Sequence, residues 1–118
     1  MALSSQFFDL YKPTLVSTQN FDEKIIDDDR LKIIFLWGIN CPNCEIAKKV
    51  LTEYFDEAKN WNLDWYHANV YEDFELANRF GLHGIPVFLV YSGQKRLGKI
   101  SPFPGWSAFS EAITKILS

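Results

Sequence analysis

The chain is poor in sulfur and has no long apolar run. It holds two cysteines among 118 residues, and no hydrophobic stretch approaches the roughly 20 residues of a membrane-spanning helix. Positive charge is not in excess either. Twelve Lys and Arg stand against fifteen Asp and Glu, a net charge of −3, which argues against nucleic-acid or anionic-membrane partners. Internal repeats and low-complexity tracts are absent. The first residues, Met1 to Asp9, show neither a basic n-region nor a long apolar h-region, so no secretory signal is read and a cytoplasmic location is expected. Only His67 and His83 accompany the two cysteines as soft ligands, at spacings unlike a zinc finger, so no metal is expected. What is present is ordinary globular material rich in rings. The composition is 47% hydrophobic and 23% charged, with ten Phe, five Tyr and four Trp, enough for one domain with a substantial core.

Periodicity and punctuation lay out the elements. Residues 1–13, with Phe7, Phe8 and Tyr11 before Pro13, form an N-terminal extension that can make a short helix packed on a domain spanning 14–118. Leu15-Val16 reads as a short strand. Ser17 or Thr18 caps a helix over about 19–28, with Phe21, Ile25 and Ile26 on its apolar face. Leu31 to Trp37 is a buried strand, and a helix from Pro42 to about Ala58 turns Ile46, Ala47, Val50, Leu51, Tyr54 and Phe55 inward. A strand from Leu63 to Val70 includes Trp65 and His67. A short helix over 72–80 closes at Gly81. Strands at Val87–Tyr91 and about 95–101 join through Ser92-Gly93-Gln94, and a last helix covers about 106–117. The order β α β α β α β β α predicts an α/β fold, a three-layer α/β/α sandwich with a mixed central sheet: parallel crossovers first, an antiparallel hairpin last.

Both cysteines fall in Cys41-Pro42-Asn43-Cys44, at the junction of the buried strand and the following helix. A helix leaves its first N–H groups unpaired and carries about half a positive charge there. Cys41 falls at the N-cap, and Pro42 suits the first helical position. A sulfur at that place is favoured as the thiolate, with a pKa below the free value of about 8.5. Cys44 lies one turn on, within reach of Cys41. The pattern assigns Cys41 as the attacking thiol and Cys44 as the resolving one in thiol–disulfide exchange. A purely structural bridge is the weaker reading, since so short a loop constrains the unfolded chain little.

With the cysteine pair goes a second motif, Phe80-Gly81-Leu82-His83-Gly84-Ile85-Pro86, ahead of the next buried strand, and Ser92-Gly93 in the hairpin. Together with Trp37-Gly38-Ile39-Asn40-Cys41-Pro42-Asn43-Cys44, these residues resemble the thioredoxin family over roughly residues 14–117. The resemblance implies a cis Pro86 beside the cysteines, with Ile85 offering its backbone to an extended substrate. It places substrate across Trp37, Asn40, Cys41, Pro42, Ile85, Pro86 and the Phe103-Pro104-Gly105 turn. It implies a protein-disulfide reductase acting on disulfide-containing proteins as a monomer, with no cofactor beyond the Cys41–Cys44 disulfide. A recycling partner such as a flavin-dependent thioredoxin reductase follows from it. A thioredoxin-fold binding module without turnover, or a disulfide oxidase or isomerase, is the alternative.

Departures from the family pattern are specific. Pro42-Asn43 stands where Gly-Pro is usual, and Asn40 where a Trp precedes the first cysteine. Trp37 matches the family's other tryptophan. Phe35 replaces a buried Asp, and His67 replaces the Lys that pairs with it; losing both charges together avoids an unpaired buried ion. His67 is then the candidate for proton transfer to or from Cys44. Asn43 can donate a hydrogen bond toward sulfur, while Glu45 and Lys48 place opposing charges nearby. The balance predicts a moderately reducing couple.

Overall fold

A computed structural model describes residues 4–118. The elements are α1 (Gln6–Tyr11), β1 (Thr14–Leu15), a π-helical turn (Asp22–Ile26), β2 (Leu31–Trp37), α2 (Pro42–Glu53), α3 (Phe55–Ala58), a 3₁₀ turn (Lys59–Trp61), β3 (Asp64–Asn69), α4 (Phe74–Arg79), β4 (Val87–Ser92), β5 (Lys95–Ile100) and α5 (Trp106–Leu117). The strands form one sheet in the order β1-β3-β2-β4-β5. β3 runs parallel to both β1 and β2, whereas β4 is antiparallel to β2 and to β5. This is the thioredoxin-like mixed sheet that the order of elements predicts.

β2 is the middle strand, and its run of apolar residues is buried because both of its faces are covered. Alternation sorts them. Ile33 and Phe35 join Trp65, Phe88 and Val90 beneath α1, α2 and α5, while Ile34 and Leu36 join Tyr66, Ala68, Leu89 and Tyr91 beneath α4 and the π-helical turn. Phe35 stacks on Phe88 with ring centres 4.9 Å apart, so the position where the resemblance implies a buried acid is filled by an aromatic pair. Lys32 is also fully buried on β2, and its ammonium donates to the carbonyls of Asp28 and Arg30.

The elements depart from the sequence reading in four places. The expected helix over 19–28 is a single wide turn closed by a bond from Asp27 N–H to the Asp22 carbonyl, though Phe21 and Ile25 are buried as expected. Thr18 does not cap it; the Thr18 hydroxyl and N–H both bond the Asp73 carboxylate, which itself caps α4 through the Leu76 N–H. The long helix breaks at Tyr54, which leaves helical dihedrals and stacks its ring on Trp106 at 4.6 Å. Finally, Ile46 and Tyr54 are exposed. The buried stripe of α2 is Cys44, Ala47, Lys48 and Leu51 at helical spacing, so a lysine holds the place that apolarity assigned to its neighbour.

Of the expected extension at 1–13, residues 1–3 lie outside the described residues, and residues 6–11 form α1. Phe7 is fully buried in the same core as Phe35 and Phe109, stacked on Tyr11 and edge-on to Phe35 and Trp65. The Tyr11 hydroxyl donates to the Leu51 carbonyl at 2.6 Å, fastening α1 to α2. Replacing Phe7 by Ala is expected to cost about 3–5 kcal/mol, the range for emptying a buried aromatic site. Urea denaturation measures it, and an unchanged midpoint would remove α1 from the core.

Candidate active site

Three segments converge at the C-terminal end of β2. The first is the strand-to-helix junction itself. Asn40 takes a left-handed backbone at φ 55°, turning the chain so that Cys41 becomes the N-cap of α2 with Pro42 in its first turn. Cys41 Sγ accepts the Cys44 backbone N–H at 3.1 Å. The two cysteines are disulfide-bonded, with Cα atoms 5.2 Å apart. Cys41 is partly accessible, whereas Cys44 has no exposed surface. The difference in access separates the roles: one sulfur meets an external partner, and the other meets only its neighbour.

The second segment is Gly84-Ile85-Pro86. The Ile85–Pro86 bond is cis, and the Ile85 carbonyl oxygen lies 3.9 Å from Cys41 Sγ. The third is the loop after β5, whose Ser101–Pro102 bond is also cis. Ser101 Oγ donates to the Pro86 carbonyl at 2.8 Å, joining the two proline turns. Asn43 then ties this loop to the cysteines. Its Oδ1 accepts the Phe103 N–H at 2.9 Å, and its Nδ2 donates to the Phe103 carbonyl at 3.4 Å. The expectation that Asn43 serves sulfur is therefore replaced: both ends of its amide are spent on backbone. Phe103 changes role as well. Its ring is only 4% exposed and packs on Phe88 and Phe109, so the side chain belongs to the core, and the backbone is what reaches the site.

Trp37, Asn40, Pro42, Ile85 and Pro86 all lie in the first two segments. Asn40 and Pro42 are exposed beside Cys41, and Ile85 is half-buried. Trp37 is half-buried and turned inward. Its indole N–H donates to His67 Nδ1 at 3.1 Å, and its face receives the Lys48 ammonium 4.5 Å from the ring centre. Lys48 is 5% exposed, also faces the Phe8 ring, and bonds Glu45 Oε1 at 3.1 Å. Sequence reasoning paired Lys48 with Glu45 but did not see that the cation is buried. The available signal was its i+4 spacing from Cys44 on the inward stripe. The Ser4 hydroxyl, working against partial burial and aided by Lys48, holds the Glu45 carboxyl below the usual carboxylate range. Glu45 therefore stays ionised opposite Lys48, and the pair cancels much of its own field at the cysteines.

His67 sits opposite Phe35 in the sheet, edge-on to Phe8. Burial first, and the Lys48 charge second, push its pKa below the ordinary imidazole value. The Trp37 bond to Nδ1 places the ring proton on Nε2, so the neutral tautomer is fixed by a tryptophan rather than a carboxylate. Among the described residues, no group of three or more His, Cys, Asp or Glu side chains converges as a metal site.

Comparison with known proteins follows the geometry. A sequence model of the thioredoxin family matches residues 12–115. A thioredoxin from Chlorobaculum thiosulfatiphilum is 26% identical over 77 residues, covering 65% of this chain and 70% of that protein. The crystal structure of Malassezia sympodialis thioredoxin (Mala s 13) superposes with a TM-score of 0.74 at 19% identity, over 90% of this chain and 91% of that one.

The depressed His67 pKa makes a signed prediction. The folded protein holds the neutral ring, so the unfolded chain takes up the proton first as pH falls. Stability contributed by the neutral ring is therefore complete above the unfolded value of about 6.5 and declines as pH drops from there to the folded value. Titrating the His67 ring protons by NMR should give a midpoint below the ordinary value; one above it would contradict the burial and the Lys48 contact.

Proposed function

The chain belongs to the thioredoxin family, whose Cys41–Cys44 pair makes it a thiol–disulfide oxidoreductase in general terms, and on that premise we propose that it reduces disulfides in protein substrates. One observation supports the roles of the two sulfurs. Cys41 Sγ is reachable and receives the Cys44 N–H at the start of α2, while Cys44 is sealed behind it.

The exchange runs in two steps. The Cys41 thiolate attacks one sulfur of a substrate disulfide, forming a Cys41–substrate bond as the substrate bond breaks, and the departing substrate thiolate takes a proton from water. Cys44 then attacks Cys41 Sγ, the Cys41–substrate bond breaks, and the Cys44 proton passes through water to the departing second substrate sulfur. Two electrons have moved: the substrate leaves as a dithiol and Cys41–Cys44 is oxidised. Thiolate character at Cys41 comes from the helix start and the N–H bond rather than from a charged partner. The Ile85 carbonyl, 3.9 Å from Cys41 Sγ, is an acceptor for the backbone N–H of an incoming extended segment, while Asn43 and Ser101 hold the surrounding loops in place. No organic cofactor takes part. An external reductant, of the kind a flavin-dependent thioredoxin reductase supplies, must return the pair to the dithiol, which suits a reducing cytoplasmic setting.

Trapping tests the reading. Cys44→Ser protein incubated with insulin is expected to accumulate a covalent adduct at Cys41 that dithiothreitol removes, seen by intact mass spectrometry. Cys41→Ser should form none. Absence of the adduct, together with no insulin reduction by the reduced wild-type protein, would leave a binding module in place of a reductase.

A further inference from the structure

Two of the exposed aromatics among the described residues stand together near the Ile85-Pro86 turn. Tyr71 is 50% exposed and Phe74 65%, their rings 6.4 Å apart, on the segment that leads from β3 into α4. Tyr71 is brought to the site by a gap in the chain's own side chains. A Cβ at Gly38 would lie 2.5 Å from the Tyr71 ring and 2.7 Å from the Ile85 terminal methyl, so the ring rests over the Gly38 backbone against Ile85. Asn69 fixes the approach, its Oδ1 accepting the Tyr71 N–H at 3.0 Å. Between these rings, Val70, Leu82 and Ile85 is an apolar hollow of about 170 Å³. Phe74 also forms a wall of a second groove of about 710 Å³, which contains Glu72, Asp73 and Glu75. Neither the hollow nor the groove is lined by a Lys or Arg.

From this arrangement we infer that Tyr71 and Phe74 select substrates in which a bulky aliphatic or aromatic side chain neighbours the reacting cysteine, with a Lys or Arg a few residues away. The inference rests on the disulfide-reductase reading and names its substrate class. Continuity argues for it: the hollow begins at Ile85, whose carbonyl is beside Cys41 Sγ, so a segment attacked at its cysteine lays its next side chains along Tyr71 and Phe74. Charge complementarity argues for the second half. Asp73 is engaged by Thr18 and the α4 cap, but Glu72 spends one oxygen on Asn69, leaving the other, and Glu75 is exposed at the groove. An apolar occupant also explains why two large rings stand in solvent beside a site where Asn40 supplies no aromatic surface.

Two peptides, each with one cysteine capped as a mixed disulfide with thionitrobenzoate, test this by absorbance. One flanks the cysteine with Leu and Lys, the other with Ser and Glu. The wild-type protein is expected to favour the first by about tenfold in kcat/KM, the scale on which an apolar pocket discriminates. Tyr71→Ala or Phe74→Ala should remove most of that preference through KM, and Glu75→Gln should reduce it and its salt dependence. Reduction of bis(2-hydroxyethyl) disulfide, which carries neither a ring nor a charge, followed by mass spectrometry of the protein, should be unchanged in all three variants and so certifies their folding. Equal kcat/KM for the two peptides, or a preference untouched by Tyr71→Ala and Phe74→Ala, overturns the inference. So does sedimentation as a dimer that Phe74→Ala dissociates, which would make a second copy the occupant. A wild-type protein inert toward the small disulfide would instead defeat the reductase reading itself.

Discussion

One hydrogen bond organises the site: the Cys44 N–H pointing at Cys41 Sγ across the first turn of α2. It exists because the chain satisfies several local demands at once. Asn40 accepts a left-handed backbone, which asparagine tolerates better than most residues, and so redirects the chain leaving β2. Pro42 gives up an N–H that the helix start had no use for, and the Cys44 N–H is the donor that meets the sulfur. Were β2 not locked on both sides by β3 and β4, that turn would have no fixed base from which to aim the thiol.

The remainder of the site holds two proline turns in register with that sulfur. Ser101 bonds the Pro86 carbonyl, and Asn43 grips the Phe103 backbone from inside the cysteine loop itself. The residue between the cysteines thus acts mechanically, linking the redox loop to the loop after β5. Behind it, charge is handled unusually for the family. With Phe35 and His67 where an acid and a lysine are customary, the buried cation behind the cysteines is Lys48, set over the Trp37 and Phe8 rings and balanced by Glu45. An ammonium so placed keeps favourable contacts without an acid in the sheet, at the cost of needing α1 to supply one of the rings.

Much of this was legible in the sequence because it is local. The continuous apolar runs of β2 and β4, Pro after Cys41, and Gly-Ile-Pro ahead of a buried strand each state their structure within a few residues. What stayed hidden depends on partners far along the chain. Thr18 reads as a helix cap until Asp73, 55 residues on, takes its hydroxyl. Asn43 reads as a donor for sulfur until the Phe103 backbone arrives from 60 residues away. Phe103 reads as surface by its place in a turn, but the rings of Phe88 and Phe109 draw it inward. Lys48 was misplaced for a different reason. Helical periodicity marks which positions face inward, yet a charged residue at such a position is discounted, and Ile46 was given the inward place that the spacing from Cys44 assigns to Lys48.

The central claim is that the start of α2 keeps Cys41 ionised without help from a carboxylate or a nearby base. The rate of iodoacetamide alkylation of Cys41 in the reduced protein, followed from pH 5 to 10 by mass spectrometry, tests it most directly. The account predicts a midpoint clearly below the free-cysteine value of about 8.5. A midpoint at or above that value would contradict it.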